Sequence, residues 1–281
     1  MIELFAAASL LAAQPAACAP PEGAEALLAM SQPYIIVGES HGTAEAPAAF
    51  AEMVCAAAER GPVTVALELP TGMQPQLDAF LAAPDEAAAI EALAGSPFSD
   101  PRMNDGRSSQ AMLAMLLSVR QLRVDGRDVA FHAFQPSRPR PRELTQAWYE
   151  LDMGYALAGA IYARPQSRVL AIVGNLHARK TGFARFADIG VPAAGHLPAA
   201  DVLTLNIAQQ GGEEWNCRPE CGVHASRGVY DPEARGVILE PSADGAYDGV
   251  LALGPSTASP PVTPAPEDQA SLAATSSGSS S

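Results

Sequence analysis

Apolar runs rich in β-branched residues recur along the chain, and Ala- and Leu-rich segments of helical length separate them. Such runs predict β-strands, and their near-continuous hydrophobicity favours strands that are buried on both faces. The alternation of strand and helix predicts an α/β fold, with a three-layer α/β/α arrangement in which helices cover both faces of a mainly parallel sheet of about five strands. The predicted strands are 34–38, 63–69, 129–134, 168–174 and 202–208.

The intervening segments show the period of amphipathic helices. One apolar stripe recurs at positions i, i+3, i+4 and i+7, and it follows Ser108 and Ser109, either of which could cap the helix N-terminus. Two further helices are predicted over 46–60 and 142–162, and a Gly-Pro pair ends the first of them. The stripe consists of Met112, Met115, Leu116 and Val119.

The two ends of the chain differ in composition from its centre. An apolar run over 4–13 has the length of a signal-peptide core, so we expect a signal peptide over 1–19 and no transmembrane segment in the mature chain. No composition break occurs over 24–253, which favours a single α/β domain there. Residues 254–281 are rich in Pro, Ser, Thr and Ala without apolar periodicity, as is typical of a disordered tail.

Export, with the periplasm as the expected compartment, is the interpretation that the N-terminus favours. The first three residues carry no Lys or Arg, so a misassigned start codon or a buried helix at 4–13 remain alternatives. Lipid anchoring at Cys18 is a less favoured alternative, because Pro15 is unfavourable in a lipoprotein signal.

The chain has four cysteines, an even number. In an oxidising compartment Cys217 and Cys221 could close a short loop, which leaves Cys18 to pair with Cys55. Cys217, Cys221 and His224 could instead form a metal knuckle, although one such cluster without a second Cys pair is weak support for zinc. Unpaired cysteines are the third alternative.

The charge balance is acidic and limits the range of partners. Lys and Arg together number 17 against 31 Asp and Glu, which gives a formal charge of -14. A field of this sign repels nucleic-acid phosphates and anionic lipid surfaces. We therefore expect no nucleic-acid partner, and a small-molecule or peptide substrate if the protein is an enzyme.

Two of the predicted strands end in the same short pattern, Gly-x-x-His. Residues 34–44 read YIIVGESHGTA, and residues 169–178 read VLAIVGNLHA. In open α/β sheets, ligands bind beyond the carboxyl ends of the strands, so side chains that follow different strands meet at one edge. Two imidazoles and one or two carboxylates there could bind a divalent metal with open positions for water, or act directly as general base and acid. The residues placed at this edge are Glu39, His41, Glu68, Asn175 and His177.

Each of these side chains also has a purely structural interpretation. A single His after a strand is more often a hydrogen-bonded structural residue than a ligand, and Glu68 could satisfy the amides of a helix that follows it. His132 lies inside an apolar strand and is expected to be a core histidine, whereas His196 and His224 lie in predicted surface loops. The coincidence of four ionisable residues at strand ends is what favours a shared site.

A polar loop over 99–112 adds a cation to the candidate site. Asp105 or Ser108 could cap the helix that follows, but capping does not explain Arg107, since a cation is unfavourable at a helix N-terminus. We therefore expect Arg107 to pair with Glu39, Glu68 or negative charge on a substrate. The chain contains no Gly-x-Ser-x-Gly elbow, which disfavours a serine hydrolase, and no Gly-rich phosphate loop.

The segments VGESHGTAEAP, ALELP and VGNLHA together resemble the superfamily that joins erythromycin esterases, Tiki and TraB-type proteins and the ChaN-type haem-binding lipoproteins. The resemblance covers residues 34–178, and its most specific part is 38–43. Resemblance to the esterases implies that His41 is a general base that activates water with Glu39 and Glu68. Resemblance to the Tiki proteases implies a metal ion between His41, His177 and Glu68. The chain lacks the length and helical insertions of the large esterases, so a macrolide substrate is not expected.

These inferences lead to one preferred hypothesis and two alternatives. The preferred one is an exported, hydrolase-like protein that activates water against an ester or amide, with or without a divalent metal ion. The first alternative is a ChaN-type haem- or iron-binding protein without turnover, in which Tyr149, Met153 or Tyr155 would be an axial ligand. The second is a scaffold that has kept the fold and lost activity. The candidate catalytic residues are Glu39, His41, Glu68, Arg107 and His177.

Overall fold

A mainly parallel β-sheet lies between two layers of helices in the computed structural model, which describes residues 17–102, 104–137 and 145–263. The strands are β1 (Tyr34–Glu39), β2 (Val63–Pro70), β3 (Val129–Gln135), β4 (Arg168–Gly174), β5 (Val202–Ile207), β6 (Glu213–Cys217), β7 (Cys221–Ala225), β8 (Gly236–Ile238) and β9 (Gly249–Ala252). The helices are α1 (Ala24–Leu28), α2 (Glu45–Ala58), α3 (Gln74–Ala82), α4 (Glu86–Ala92), α5 (Gln110–Val124) and α6 (Gln146–Ala163).

The order of strands in the sheet is β3-β2-β4-β1-β5-β9-β8, and every neighbouring pair is parallel except β8 with β9. The strands predicted from the sequence are β1 to β5, and each lies within one residue of its predicted bounds. The pattern did not predict β8 and β9, because three or four residues are too few to show a period. It also missed β6 and β7, which pair as a separate antiparallel hairpin.

Both faces of the sheet are buried. Alternate residues of the central strands belong to two different hydrophobic clusters, one on each face. In β1, Ile35 packs in one cluster with Phe50 of α2, whereas Ile36 packs in the other with Met153 of α6. Helices α1 to α5 contribute to the first cluster, and α6 covers the opposite face. This arrangement confirms the predicted three-layer α/β/α fold and accounts for the unbroken hydrophobicity of the central strands.

The predicted helices are present with small shifts at their ends. Ser109 caps α5, since its Oγ accepts a hydrogen bond from Met112 N at 3.2 Å. The apolar stripe of α5 is buried, as its period predicts. Helix α2 begins one residue before the predicted 46–60 segment and ends two residues before its end. Helix α6 begins at Gln146, and residues 138–144 lie outside the described residues.

Both predicted disulfides are formed. Cys18 pairs with Cys55, and Cys217 pairs with Cys221 at the end of the β6–β7 hairpin. The zinc-knuckle alternative is wrong for the disulfide-bonded protein. The sulfurs of Cys217 and Cys221 are bonded to each other, and His224 contacts a backbone oxygen instead. Disulfides are typical of proteins in oxidising compartments, which is consistent with export. Within the described ranges, no helix combines the length and apolarity that a bilayer crossing requires.

The Cys18–Cys55 bond also bears on the predicted N-terminal processing. Residues 1–16 lie outside the described residues, so the signal peptide itself stays a prediction. A cleavage after residue 19 would remove Cys18, so the predicted 1–19 boundary is incompatible with this disulfide, and any cleavage must precede Cys18. Lipid anchoring would need the same sulfur that the disulfide uses.

The C-terminal segment 254–263 is ordered, which differs from the tail predicted to begin at residue 254. Ser259 N donates to Gly42 O at 2.8 Å, Ala44 N donates to Thr257 O at 2.9 Å, and Gln110 N donates to Pro260 O at 2.9 Å. These backbone bonds hold the segment across the loop after β1 and the start of α5. Composition does not reveal them, because they need no particular side chain. Residues 264–281 lie outside the described residues.

Candidate active site

Three neighbouring strands deliver ionisable side chains to the carboxyl edge of the sheet. Glu39 is the last residue of β1, Glu68 lies near the end of β2, and His41 and His177 lie in the turns after β1 and β4. Glu68 Oε2 is 3.3 Å from His41 Nε2, and Glu68 Oε1 is 3.8 Å from His177 Nε2. The two Gly-x-x-His segments therefore meet at one carboxylate.

His41 lies between two buried carboxylates. Its Nδ1 is 3.0 Å from Glu39 Oε1, and its Nε2 faces Glu68. Burial acts to lower the pKa of His41, but the charges and hydrogen bonds of Glu68 and Glu39 outweigh burial and raise the pKa to about 10. Burial also raises the pKa of Glu39, against the effect of its bond to His41. At neutral pH, His41 is therefore an imidazolium.

Glu68 stays ionised although it is buried. Burial acts to raise its pKa, but the contact with His41 and the charges of His177 and Arg107 outweigh burial and lower the pKa to about 2. The backbone N–H of Gly174 also donates to Oε2 at 2.7 Å. Both oxygens of Glu68 thus have partners, and this carboxylate is the centre of the site.

Glycines allow the backbone to approach the imidazoles closely. A Cβ at Gly174 would lie 3.0 Å from His41 Nε2 and 3.3 Å from Glu68 Oε2, so a side chain there would displace the site. Gly42, directly after His41, has a φ of 78°, a left-handed conformation that residues with a Cβ rarely adopt. The glycines in the two segments thus serve the geometry of the site.

Arg107 enters the site from the loop before α5. Its Nη1 lies 3.5 Å from Glu68 Oε1, and its Nη2 lies 2.6 Å from Asp105 Oδ2. Of the pairings expected for Arg107, the structure therefore shows the one with Glu68. Asp105 holds the guanidinium and does not cap α5, whose cap is Ser109.

The sequence analysis missed Glu150, which holds the second imidazole. Glu150 Oε2 lies 2.8 Å from His177 Nδ1, and the residue is 0% exposed although it lies on a helix. A signal was present in the sequence: Glu150 occupies position i of an apolar stripe that continues with Met153 and Leu157 at i+3 and i+7. A charged residue at a buried helical position is seldom retained without a partner.

The β6–β7 hairpin forms one wall of an open cleft of about 290 Å³ above these side chains. Trp215 anchors the hairpin, since it is buried, its Nε1 donates to Asn104 O at 2.8 Å and its N donates to Gly42 O at 2.9 Å. The hairpin contributes Glu214, Asn216 and Arg218 to the cleft. Among the described residues that line the cleft, Leu176 is the only large apolar side chain.

The predicted metal ligands converge but do not fit a divalent ion in this arrangement. His41 and Glu68 contact each other directly, both oxygens of Glu68 are engaged, and the Arg107 cation lies where it would repel a metal ion. Within the described ranges, no group of three or more His, Cys, Asp or Glu side chains is arranged as a metal site. The donor set is that of a hydrogen-bonded acid–base cluster.

The candidate haem ligands do not share a pocket. Met153 is fully buried in the core, whereas the Tyr155 side chain is 71% exposed on the outer face of α6. Tyr149 lies beside the site, with its ring centroid 6.1 Å from that of His177. The residues that line the cleft there are mostly polar or charged, whereas haem requires a broad apolar slot.

The remaining histidines have the structural roles expected of them. His132 Nε2 lies 2.8 Å from Ala156 O, as for a hydrogen-bonded residue between β3 and α6. His196 lies outside the cleft and contacts Val191 O, whereas His224, which was expected in a loop, lies in strand β7 and contacts Glu220 O.

Solved structures with the same fold include an erythromycin esterase. A mutant of this enzyme in its open conformation superposes with a TM-score of 0.61 at 11% identity, over 80% of this chain and 91% of that chain. A succinoglycan biosynthesis protein superposes with a TM-score of 0.61 at 10% identity, over 82% and 89% of the two chains. A Bacillus cereus protein superposes with a TM-score of 0.59 at 12% identity, over 83% and 91%. These similarities show that the chain shares the fold of these proteins.

ChaN of Campylobacter jejuni, in a structure with cofacially bound haem, superposes with a TM-score of only 0.42 at 14% identity, over 81% of this chain and 89% of that chain. That score is too low for any functional argument. No protein-family model matches the chain. No curated protein matches it significantly in sequence.

Proposed function

We propose that the protein is an exported hydrolase that activates water against an ester or amide bond by acid–base catalysis, without a metal ion. One observation carries the proposal: two imidazoles that line an open cleft, each held by a carboxylate through Nδ1, direct Nε2 toward the same buried carboxylate, Glu68. Pairs of titratable groups in different electrostatic environments are typical of acid–base sites. The shared fold with an erythromycin esterase is compatible with this chemistry.

In this proposal His41 is the general acid. The sequence analysis assigned water activation to His41, but a residue with a pKa near 10 is already protonated at neutral pH and cannot accept a proton. Its Nδ1 contact with Glu39, at 3.0 Å, is shorter than its Nε2 contact with Glu68, at 3.3 Å. The proton on Nε2 is therefore the one transferred to the leaving oxygen or nitrogen.

His177, in its neutral form, is then the general base. In the neutral imidazole one nitrogen carries the proton and the other a lone pair. Since the carboxylate of Glu150 accepts from Nδ1, the lone pair is on Nε2, which faces Glu68 and the cleft. Water bound there loses a proton to His177 as its oxygen attacks the carbonyl carbon, and this transfer contributes about 10²- to 10⁴-fold in rate.

Arg107 and the imidazolium of His41 supply positive charge for the tetrahedral intermediate. The attack moves an electron pair onto the carbonyl oxygen, and fixed cations near that oxygen stabilise it. The Arg107 guanidinium is held in place by Asp105, so little reorganisation is needed when the charge develops. His41 then gives up its proton as the bond to the leaving group breaks.

The lining of the cleft favours a small polar substrate. Its wall carries charged and amide groups from the hairpin, and Leu176 is the only large apolar side chain among the described residues that line it, which is unlike a site for a large lactone. Asn216 donates through Nδ2 to Glu214, and its Oδ1 is buried without a hydrogen-bond partner within the described part of the chain.

The test is hydrolysis of a panel of small polar esters and amides by protein treated with a metal chelator. We expect turnover that survives the chelator, falls by about 10²-fold or more in His41→Gln and in His177→Gln, and declines as pH rises through about 10, where His41 loses its proton. His132→Gln is the matched control and should retain wild-type activity. Turnover abolished by chelation, or a Soret band on haemin titration with no turnover, would reject the proposal.

A further inference from the structure

Glu150 is a buried carboxylate whose hydrogen bonds come from three different segments. The residue is 0% exposed, and its Oε2 accepts from Ala193 N at 3.1 Å and lies 2.8 Å from His177 Nδ1. Its Oε1 accepts from Gln146 Nε2 at 2.7 Å. A carboxylate so far from water costs several kcal/mol unless its lone pairs are satisfied. All the bonds that satisfy it also fix its orientation toward His177.

This arrangement determines which nitrogen of His177 carries the proton. A carboxylate oxygen accepts hydrogen bonds and donates none, so the neutral imidazole beside Glu150 has its proton on Nδ1. The opposite tautomer would place a lone pair 2.8 Å from the Glu150 carboxylate, whereas in the favoured tautomer the Nε2 lone pair is 3.8 Å from Glu68 Oε1. The orientation of the His177 ring is also fixed, because hydrogen bonds from Ala193 N and Gln146 Nε2 hold the Glu150 carboxylate in place.

We propose that Glu150 is a positioning residue that holds His177 with its proton on Nδ1 and its Nε2 lone pair toward the cleft. The inference deepens the proposed function and rests on it for its catalytic consequence. The tautomer itself is a property of the folded protein and is measurable without any substrate. Glu150 also interacts favourably with the imidazolium that forms when His177 accepts a proton from water, as buried carboxylates do in other carboxylate–histidine pairs.

Glu150→Gln tests the proposal, because glutamine keeps the shape of the side chain and removes its charge. ¹⁵N NMR of labelled imidazoles reports the tautomer of His177, with His177→Gln to assign its signals. In the wild type we expect a single Nδ1–H tautomer, and in Glu150→Gln a mixture of both tautomers. With a p-nitrophenyl ester as the probe, kcat should fall by about 10²- to 10⁴-fold, and KM should stay within about threefold.

Asp248→Asn is the matched control. Asp248 also accepts a backbone hydrogen bond, from Thr204 N at 2.9 Å, and it pairs with Lys180, but it does not contact an imidazole. The Asp248→Asn substitution should lower the melting temperature without changing the tautomer of His177 or kcat. If Glu150→Gln does not fold, Glu150→Asp replaces it: this variant keeps the charge but withdraws it by about 1.5 Å, and we expect a partial loss of the Nδ1–H tautomer with a smaller fall in kcat.

The outcomes separate this inference from the proposed function. A His177 tautomer that is unchanged in a folded Glu150 variant overturns the positioning role, whether or not the wild type turns over the ester. A shifted tautomer in a protein whose wild type hydrolyses no ester or amide supports the positioning role and overturns the hydrolase proposal. If the Glu150 variant shifts the tautomer of His177 and raises KM but leaves kcat unchanged, the proposed effect of Glu150 on catalysis is overturned.

Discussion

At the scale of single residues, His41 and Glu68 have pKa shifts in opposite directions because each stabilises the charged form of the other. The pKa of His41 is raised to about 10 and that of Glu68 is lowered to about 2, although burial alone would shift each in the other direction. Charge interactions therefore outweigh desolvation at this site. The site is charged at neutral pH, and it has this property before any substrate binds.

The same shifts make stability depend on pH. The His41 contribution to the free energy of unfolding is fully present below its ordinary pKa of 6.5 and is lost as pH rises through about 10. The Glu68 contribution is present above its ordinary pKa of 4.5 and is lost as pH falls through about 2. We expect the difference in melting temperature between wild type and His41→Gln to be largest between pH 4.5 and 6.5. The same comparison with His132→Gln should show no such maximum, and a difference that grows above pH 8 would contradict the assignment.

Gly174→Ala should reduce activity while the fold is retained. The added methyl group would lie 3.0 Å from His41 Nε2, closer than a relaxed contact, so the imidazole must move away from Glu68. We expect kcat/KM to fall by about 10-fold to 10²-fold, since displacements of about 1 Å have such effects in catalytic sites. Gly61→Ala is the control, because a Cβ there meets nothing within 4 Å. Equal activity of both variants would show that the close approach at Gly174 is not needed.

At the scale of elements, each strand or helix supplies one part of the site, and the order of strands decides which parts meet. Strand β1 lies beside β4, with Glu39 in register with Gly174, so the loops after these strands are neighbours. Strand β2 is the other neighbour of β4 and places Glu68 beneath both loops. Helix α6 packs on the face of the sheet opposite to helices α1 to α5, and it brings Glu150 to His177.

The two disulfides should differ in their effects, because they stabilise elements of different size. The Cys18–Cys55 bond joins residues 37 positions apart, so its removal by Cys→Ser replacement should lower the free energy of unfolding by about 2–4 kcal/mol and leave kcat unchanged. The Cys217–Cys221 bond spans 4 positions in the hairpin that carries Asn216 and Arg218. Its removal should raise KM with little change in stability. Denaturant unfolding and steady-state kinetics on the two double variants distinguish these effects, and a reversal between them would contradict the interpretation.

At the scale of the whole molecule, the C-terminal segment 254–263 joins regions that are far apart in the chain. It pairs with the loop that follows β1, with the start of α5 and, at Gly212, with the segment before the hairpin. The bonds to Gly42 and Ala44 hold the backbone that directly follows His41. The segment therefore belongs to the folded unit, in contrast to the disorder that its composition predicts.

Truncation of the chain tests this assignment. A chain that ends at Thr263 should match the full chain in melting temperature and in activity, because the bonds from Thr257, Ser259 and Pro260 are kept. A chain that ends at Leu253 loses these bonds, and we expect a clearly lower melting temperature together with loss of activity. Thermal unfolding of the two truncated proteins, followed by circular dichroism, gives the comparison. Equal melting temperatures would mean that the segment contributes nothing to the fold.

The sequence by itself determined the strands β1 to β5, the main helices, the layered fold and the edge of the sheet at which ionisable side chains gather. These features follow from local chemistry, since hydrophobic period and composition depend on neighbouring residues and on general rules of α/β topology. The pairing of Cys18 with Cys55 was one of the alternatives that the sequence left open, and the structure selected it. The tertiary structure decided that His41 lies between two carboxylates, that Glu150 holds His177 and that a disulfide-closed hairpin walls the cleft. The contacts of His41 with Glu68 and of Glu150 with His177 each join residues more than 20 positions apart, and a pKa or a tautomer depends on the distances between them, which no local pattern encodes.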